Sequence, residues 1–193
     1  MANASTTGFG FRPIKKIAQN YNNAALSEYN VAASSALISH ACLVQLTADG
    51  VVLASGNTTT NNLGTLNGVF YTDAVSNKPT FSNFSPAANT ATDIVAFIND
   101  DPMQMYEVMS ADTAFNQNEV GHLADQVLAV GTTPLFISRS KISATTATTQ
   151  AQLFIMGVPR DPDHSDTTEE GFALRVQIRE HILIGNNTQR AGI

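Results

Sequence analysis

Residues 94–109 read Ile94-Val95-Ala96-Phe97-Ile98-Asn99-Asp100-Asp101-Pro102-Met103-Gln104-Met105-Tyr106-Glu107-Val108-Met109. Two apolar runs flank the Asn-Asp-Asp-Pro break. Met103, Met105 and Met109 fall on one side of an extended chain, Gln104, Tyr106 and Val108 on the other, and Glu107 is the single charge of the second run. Short runs rich in β-branched and aromatic residues, bounded by turn formers, form strands. Apolar groups on both faces place such strands inside a sheet. Pro102 has no N–H to give to a ladder, so it belongs at the start of the second strand. The spacing predicts a β-hairpin in the middle of the core. Asp100 and Asp101 are adjacent, so in an extended chain their carboxylates point apart, and forming a turn before proline is role enough for them.

Working outward, Phe172, Leu174, Val176 and Ile178 alternate with Ala173, Arg175, Gln177 and Arg179, the pattern of a half-buried strand. Ile182–Ile184 is expected to extend it past a bulge at Glu180-His181. Ala41–Leu46, closed by the Asp49-Gly50 turn signal, is another strand. Val51–Ala54, Val69–Tyr71, Leu135–Ile137 and Leu153–Met156 are short ones, and Asn77-Lys78-Pro79 is a turn. Ser34 and Ser35 are placed to cap a helical turn over Ala36–Ser39. Val120, Leu123, Ala124, Val127 and Leu128 recur at helical spacing, predicting a short helix within 118–130. Gly121 weakens that helix by about 1 kcal/mol relative to Ala, and Gly131 with Pro134 ends it. Polar breaks or loops are expected at Asn20–Asn23, Gly56–Gly68, Ser138–Thr149 and Val158–Gly171, and the end of the chain from Asn186 is expected to fray.

Charged residues make up 13% of the 193, against roughly 25% in a typical globular protein; Ser, Thr, Asn and Gln carry the polarity instead. These suit turns and strand faces and are poor helix formers. The fold class is therefore mainly β, a single domain with at most one or two short helices. A net charge of −6 argues against general nucleic-acid binding, which needs a basic footprint. No apolar window is long enough for a transmembrane helix. Cys42 is the only cysteine and sits in an apolar run, as a buried inert thiol does.

Little in the chain suggests catalysis. His40, His122, His164 and His181 show no metal-ligand spacing, and no nucleophile elbow or phosphate-binding glycine motif is present. No catalytic, cofactor-binding or metal site is expected, and no enzyme. The run Asp161, Asp163, His164, Asp166, Glu169 and Glu170 loosely suggests a calcium loop but lacks the glycine and terminal glutamate that an EF-hand needs; a solvated loop is the simpler reading. A metal-dependent hydrolase would rest on that loop alone.

The charge feature with shape is N-terminal. Arg12, Lys15 and Lys16 contribute +3 before the first acid, Glu28, which leaves −9 for the remainder of a chain of net charge −6. Residues 1–20 are expected to form a flexible arm on a β domain spanning 21–193. Phe9, Phe11, Arg12, Ile14, Lys15 and Lys16 are its candidate partner-binding residues. Apolar side chains there would add about 1.5–3 kcal/mol each on full burial, and the charges would steer and fix register. The competing expectation is that Phe9 and Phe11 complete the core of their own domain.

Several segments in order resemble one family. Phe9-Gly10-Phe11-Arg12-Pro13, Tyr29-x-Val31, Gly68-Val69-Phe70-Tyr71-Thr72-Asp73, Lys78-Pro79-x-Phe81-Ser82, Asp93-Ile94-Val95-Ala96, Asp100-Asp101-Pro102, Glu107-Val108 and Val120-Gly121 are similar to the head decoration, or cement, proteins of tailed bacteriophages. The terminal strand ending at His181 completes the series. Asn77 stands where that family usually has Gly, and the Asn57–Asn67 and Asp161 loops depart from its pattern. The resemblance implies a small barrel-like domain (β-tulip or related). It implies a structural virion protein on the outer surface of an icosahedral capsid, made in the host cytoplasm, bridging major capsid subunits. A homo-oligomer, with a trimer as the expected form, follows from the same resemblance. The rival from another class is a receptor- or carbohydrate-binding β module of a tail or fibre, which exposed aromatic platforms would favour.

Overall fold

In the computed structural model, the described residues are 3–17, 26–33, 35–55, 61–147 and 151–184. The expectations for Asn20–Asn23, the cap at Ser34, residues 56–60 and the end of the chain from Asn186 lie outside them. The chain is mainly β, as composition requires, and its strands form two antiparallel sheets. Sheet A runs in the order β1 (Arg12–Lys16), β8 (Gln104–Met109), β12 (Ala173–Ile178), β11 (Leu153–Gly157), β9 (Leu123–Val127) and β10 (Lys141–Ala147). Sheet B runs β2 (Ser27–Asn30), β7 (Val95–Asn99), β5 (Gly64–Thr72), β3 (Leu43–Thr47) and β4 (Gly50–Leu53), with β6 (Pro79–Ser82) also paired to β5.

The central stretch is not a hairpin. Both strands are interior, as their two apolar faces require, but β7 lies between β2 and β5 in sheet B while β8 lies between β1 and β12 in sheet A. The Asn-Asp-Asp-Pro break is a corner between sheets, and side-chain chemistry fixes it. Asp100 accepts hydrogen bonds from Ser27 Oγ at 2.9 Å and Tyr29 Oη at 2.6 Å, both on β2. Asp101 accepts from the Met103 amide at 2.8 Å and pairs with Lys16 on β1. The two carboxylates do point apart, each holding the corner to the end strand of a different sheet.

Each sheet has its own core. Tyr106, Val108, Leu153, Ile155, Leu174, Val176 and Ile178 lead one cluster on sheet A. Val44, Val51, Leu66, Val69, Ala96 and Ile98 lead the other on sheet B, with buried Cys42 among them. Burial pushes the Cys42 thiol up, as expected of an inert one. Sheet A curls until Ala111 donates to Ile142 O at 2.7 Å, which brings β10 to the chain just beyond β8. The ladder does not close into a barrel.

The helix expected within 118–130 is absent. A single 3₁₀ turn, Gln117–Glu119, with Asn116 as its cap, precedes Gly121 at φ +91°. The chain then becomes β9, with Ala124 and Gln126 inward and Val127 and Leu128 exposed. Ladder bonds to β10 and β11 outweigh a helical period already weakened by Gly121. The Thr-rich connection contains β10, because Thr is a good strand former, and its Ala-Thr-Thr-Ala order shows no period-two apolar pattern in the sequence. Leu135–Ile137 and Ile182–Ile184 are not strands; Ile137 makes one isolated bridge with His40, and His181, just before the second run, makes one with Asn62, all outside the strands of the two sheets.

The N-terminal segment is docked on the body over its described length, residues 3–17, rather than standing off as an arm. Phe11 is fully buried in the sheet A core. β1 pairs with β8, Arg12 opposite Glu107 and Pro13 opposite Tyr106. The physical reason is the Phe11 ring: its burial together with a strand's worth of backbone bonds offsets the ordering cost.

Candidate functional site

From β1 the chain can be followed back to the acidic loop. The Asn3 side-chain amide donates to the carbonyls of Asp166, Glu169 and Glu170 at 2.9, 3.2 and 3.0 Å, and its oxygen accepts from the Asp166 amide at 3.1 Å. The Ala4 amide donates to Asp163 O at 2.8 Å. The loop's carboxylates serve its own turns. Asp161 accepts from the Asp163 amide at 3.0 Å. Asp166 accepts from the Thr168 hydroxyl at 2.6 Å, the first of the interactions that hold its carboxyl down at about 2. Phe9 lies against the His164 ring with centroids 5.6 Å apart, and the Arg12 guanidinium sits 4.2 Å over Phe9. Among the described residues no three His, Cys, Asp or Glu side chains gather as a cation site.

Beside this loop, the outer face of sheet A carries alternating charge across three strands. Glu107 on β8 faces Arg12 on β1 and Arg175 on β12 in the ladder register. Glu107 is only 7% exposed. Burial pushes its carboxyl up; Arg12 opposes the shift, and a hydrogen bond with Asp161 reinforces it. A cavity of about 730 Å³ opens there, lined by Ile14, Lys15, Glu107, Arg160, Asp161 and Arg175 among others.

Glu107 gives a pH prediction with a definite sign. Its proton is held to higher pH in the folded chain than in the unfolded one. Its stabilising contribution is therefore complete below the ordinary glutamate value of 4.5 and is lost as pH rises through the raised value. Glu107→Gln removes this titration. The midpoint of thermal unfolding of the variant, relative to the parent, is expected to climb as pH rises from below 4.5 through the raised value. A pH-independent difference would show that Glu107 titrates as it does in water.

The six candidate contact residues separate into two groups. Phe11 belongs to the core and Lys16 to the corner ion pair with Asp101. Ile14 and Lys15 line the cavity, Arg12 is exposed, and Phe9 is half-buried beneath it. Sequence reading missed Glu107, Arg160 and Arg175 as their companions. Only the register of β8 on β12 puts Glu107 beside Arg175.

A second feature was missed as well. Phe70 and Phe81 are cross-strand partners, 40% and 65% exposed, and Phe81 lies 5.8 Å from the Phe97 ring. Period-two alternation against buried Val69 and Tyr71 already turns Phe70 outward, so that signal was present in the sequence.

No family model, curated protein or solved structure matches the chain.

Proposed function

We propose that this is a structural virion protein that binds the outer surface of an icosahedral phage capsid and stabilises it by bridging major capsid subunits. The observation that carries the reading is that several of the motifs resembling the decoration family, far apart in sequence, lie against one another. Arg12-Pro13 lies on β1 against Tyr106-Glu107 of β8, and Phe11 shares a core with Val108. Tyr29 bonds Asp100, and Lys16 pairs with Asp101, where the two sheets join. Short matches that contact one another in the fold are better support than the same matches with no contact between them.

On this reading the motifs build the frame, and shell contact falls to side chains that the frame leaves free. Ile14 and Lys15 line the cavity and Arg12 is exposed beside them, while Phe70 and Phe81 offer apolar area on sheet B. Bridging requires subunits at fixed spacing, so the protein should bind assembled expanded heads far more tightly than free capsid subunits, because a second contact adds avidity. Co-sedimentation with undecorated heads, set against binding to purified unassembled subunits, tests this. Equal affinity for both removes the reading.

The exposed Phe70 and Phe81, with half-buried Phe97 beside Phe81, favour a second reading, a receptor- or carbohydrate-binding module of a tail or fibre. The position of the protein in an electron-microscopy map of the particle separates the two: on the shell for the first, on the tail for the second.

A further inference from the structure

The cavity on sheet A gathers five charged side chains, two of which, Glu107 and Asp161, share a hydrogen bond. Lys15, Arg160 and Arg175 line it together with Glu107 and Asp161. Among the described residues none of these closes an ion pair, whereas Lys16 pairs with Asp101 and Arg179 with Glu180. Glu107, more than nine-tenths buried, leaves its Oε1 without a hydrogen-bond partner, and the Arg175 Nε is buried in the same condition. Buried polar groups left unmade are rare and costly.

Those two atoms belong to residues that face each other across β8 and β12, so their side chains rise from the same face of the sheet. Together they offer one acceptor and one donor, the complement of a peptide group with its own N–H and C=O. The surrounding charge leans positive, with three cations against two acids on the cavity wall and Arg12 opposite Glu107, in a protein of net charge −6. The wall also includes Ile14 and Lys15 of β1.

We infer that this cavity is a docking site for an acidic peptide segment, which sets a main-chain amide against Glu107 Oε1 and Arg175 Nε and its carboxylates against Lys15 and Arg160. The site goes beyond the shell reading and holds whether or not a capsid subunit supplies the segment.

Fluorescence anisotropy of labelled hexaglutamate with the full chain tests it. Saturable one-site binding is expected, weakened at least about tenfold in Lys15→Ala/Arg160→Ala and at least about tenfold for hexaglutamine in place of hexaglutamate. Lys78→Ala, in the distant β5–β6 turn, should leave binding unchanged. Glu107→Leu should weaken binding as the double variant does, provided its melt shows it folded; the double variant alters partly or fully exposed side chains and decides the matter if Glu107→Leu does not fold. The inference is overturned by an absence of saturable binding, by equal weakening in Lys78→Ala, or by equal affinity for hexaglutamine. Displacement of the peptide by equimolar citrate would overturn the peptide assignment in favour of a free polycarboxylate.

Discussion

Phe11→Ala is expected to lower the unfolding free energy by about 3–5 kcal/mol, the usual cost of emptying a fully buried phenylalanine site. For a chain of this length that is a fall of roughly 6–20 °C in the unfolding midpoint. Deleting residues 1–16 should cost more, because it also removes the β1–β8 ladder and the Asn3 bonds to the acidic loop. Against a total of about 5–15 kcal/mol for a domain, such a loss leaves little or nothing. A free docking arm predicts the opposite: an unchanged midpoint and lost binding to heads. Phe9→Ala provides the internal control. Its ring is half-buried between Arg12 and His164, and its removal should shift the midpoint far less than that of Phe11. Differential scanning calorimetry of the three proteins checks the ranking, and a deletion that melts with the parent would return the segment to the role of an arm.

The distinction between Phe9 and Phe11 shows how far sequence reading reaches. Mainly β character was legible because composition and period-two alternation are local properties, and β12 is the clearest case: its expected inward set, Phe172 to Ile178, is buried. Which sheet a strand joins is not local. Nothing in Asn99-Asp100-Asp101-Pro102 distinguishes a hairpin turn from a corner; the outcome depends on Ser27, Tyr29 and Lys16, all more than 70 residues away in sequence. The candidate site was legible to a similar degree. Lys15 and Arg12 were found as basic residues in a chain poor in charge. Glu107 was noted as a lone charge in an apolar strand, but its partners come from β12 and from the 158–162 loop, and no spacing rule connects them.

The corner also sets the second large effect, expected at Gly64. Thr65 pairs with Asn99, and Gly64 sits where β5 passes both β3 and the end of β7. A Cβ added at Gly64 would stand 2.0 Å from Asn99 O and 2.8 Å from its carbonyl carbon. Those are backbone atoms of an interior strand and cannot rotate aside as a side chain would. Moving them would disturb the Tyr106 hydroxyl, which donates to the same Asn99 oxygen at 3.1 Å from the fully buried core of sheet A. It would also shift Asp100 and loosen its bonds to Ser27 and Tyr29. Gly64→Ala therefore strains both sheets through one contact, and a cost of at least about 3 kcal/mol is expected, at the upper end for overpacked sites. Gly121→Ala is the matched comparison, since a Cβ there meets nothing within 4 Å and only the positive φ is strained; its cost should stay at about 1–2 kcal/mol. Urea unfolding of both variants measures the difference. If Gly64→Ala is as mild as Gly121→Ala, then β5 and β7 separate freely at this point and the corner does not lock the two sheets together.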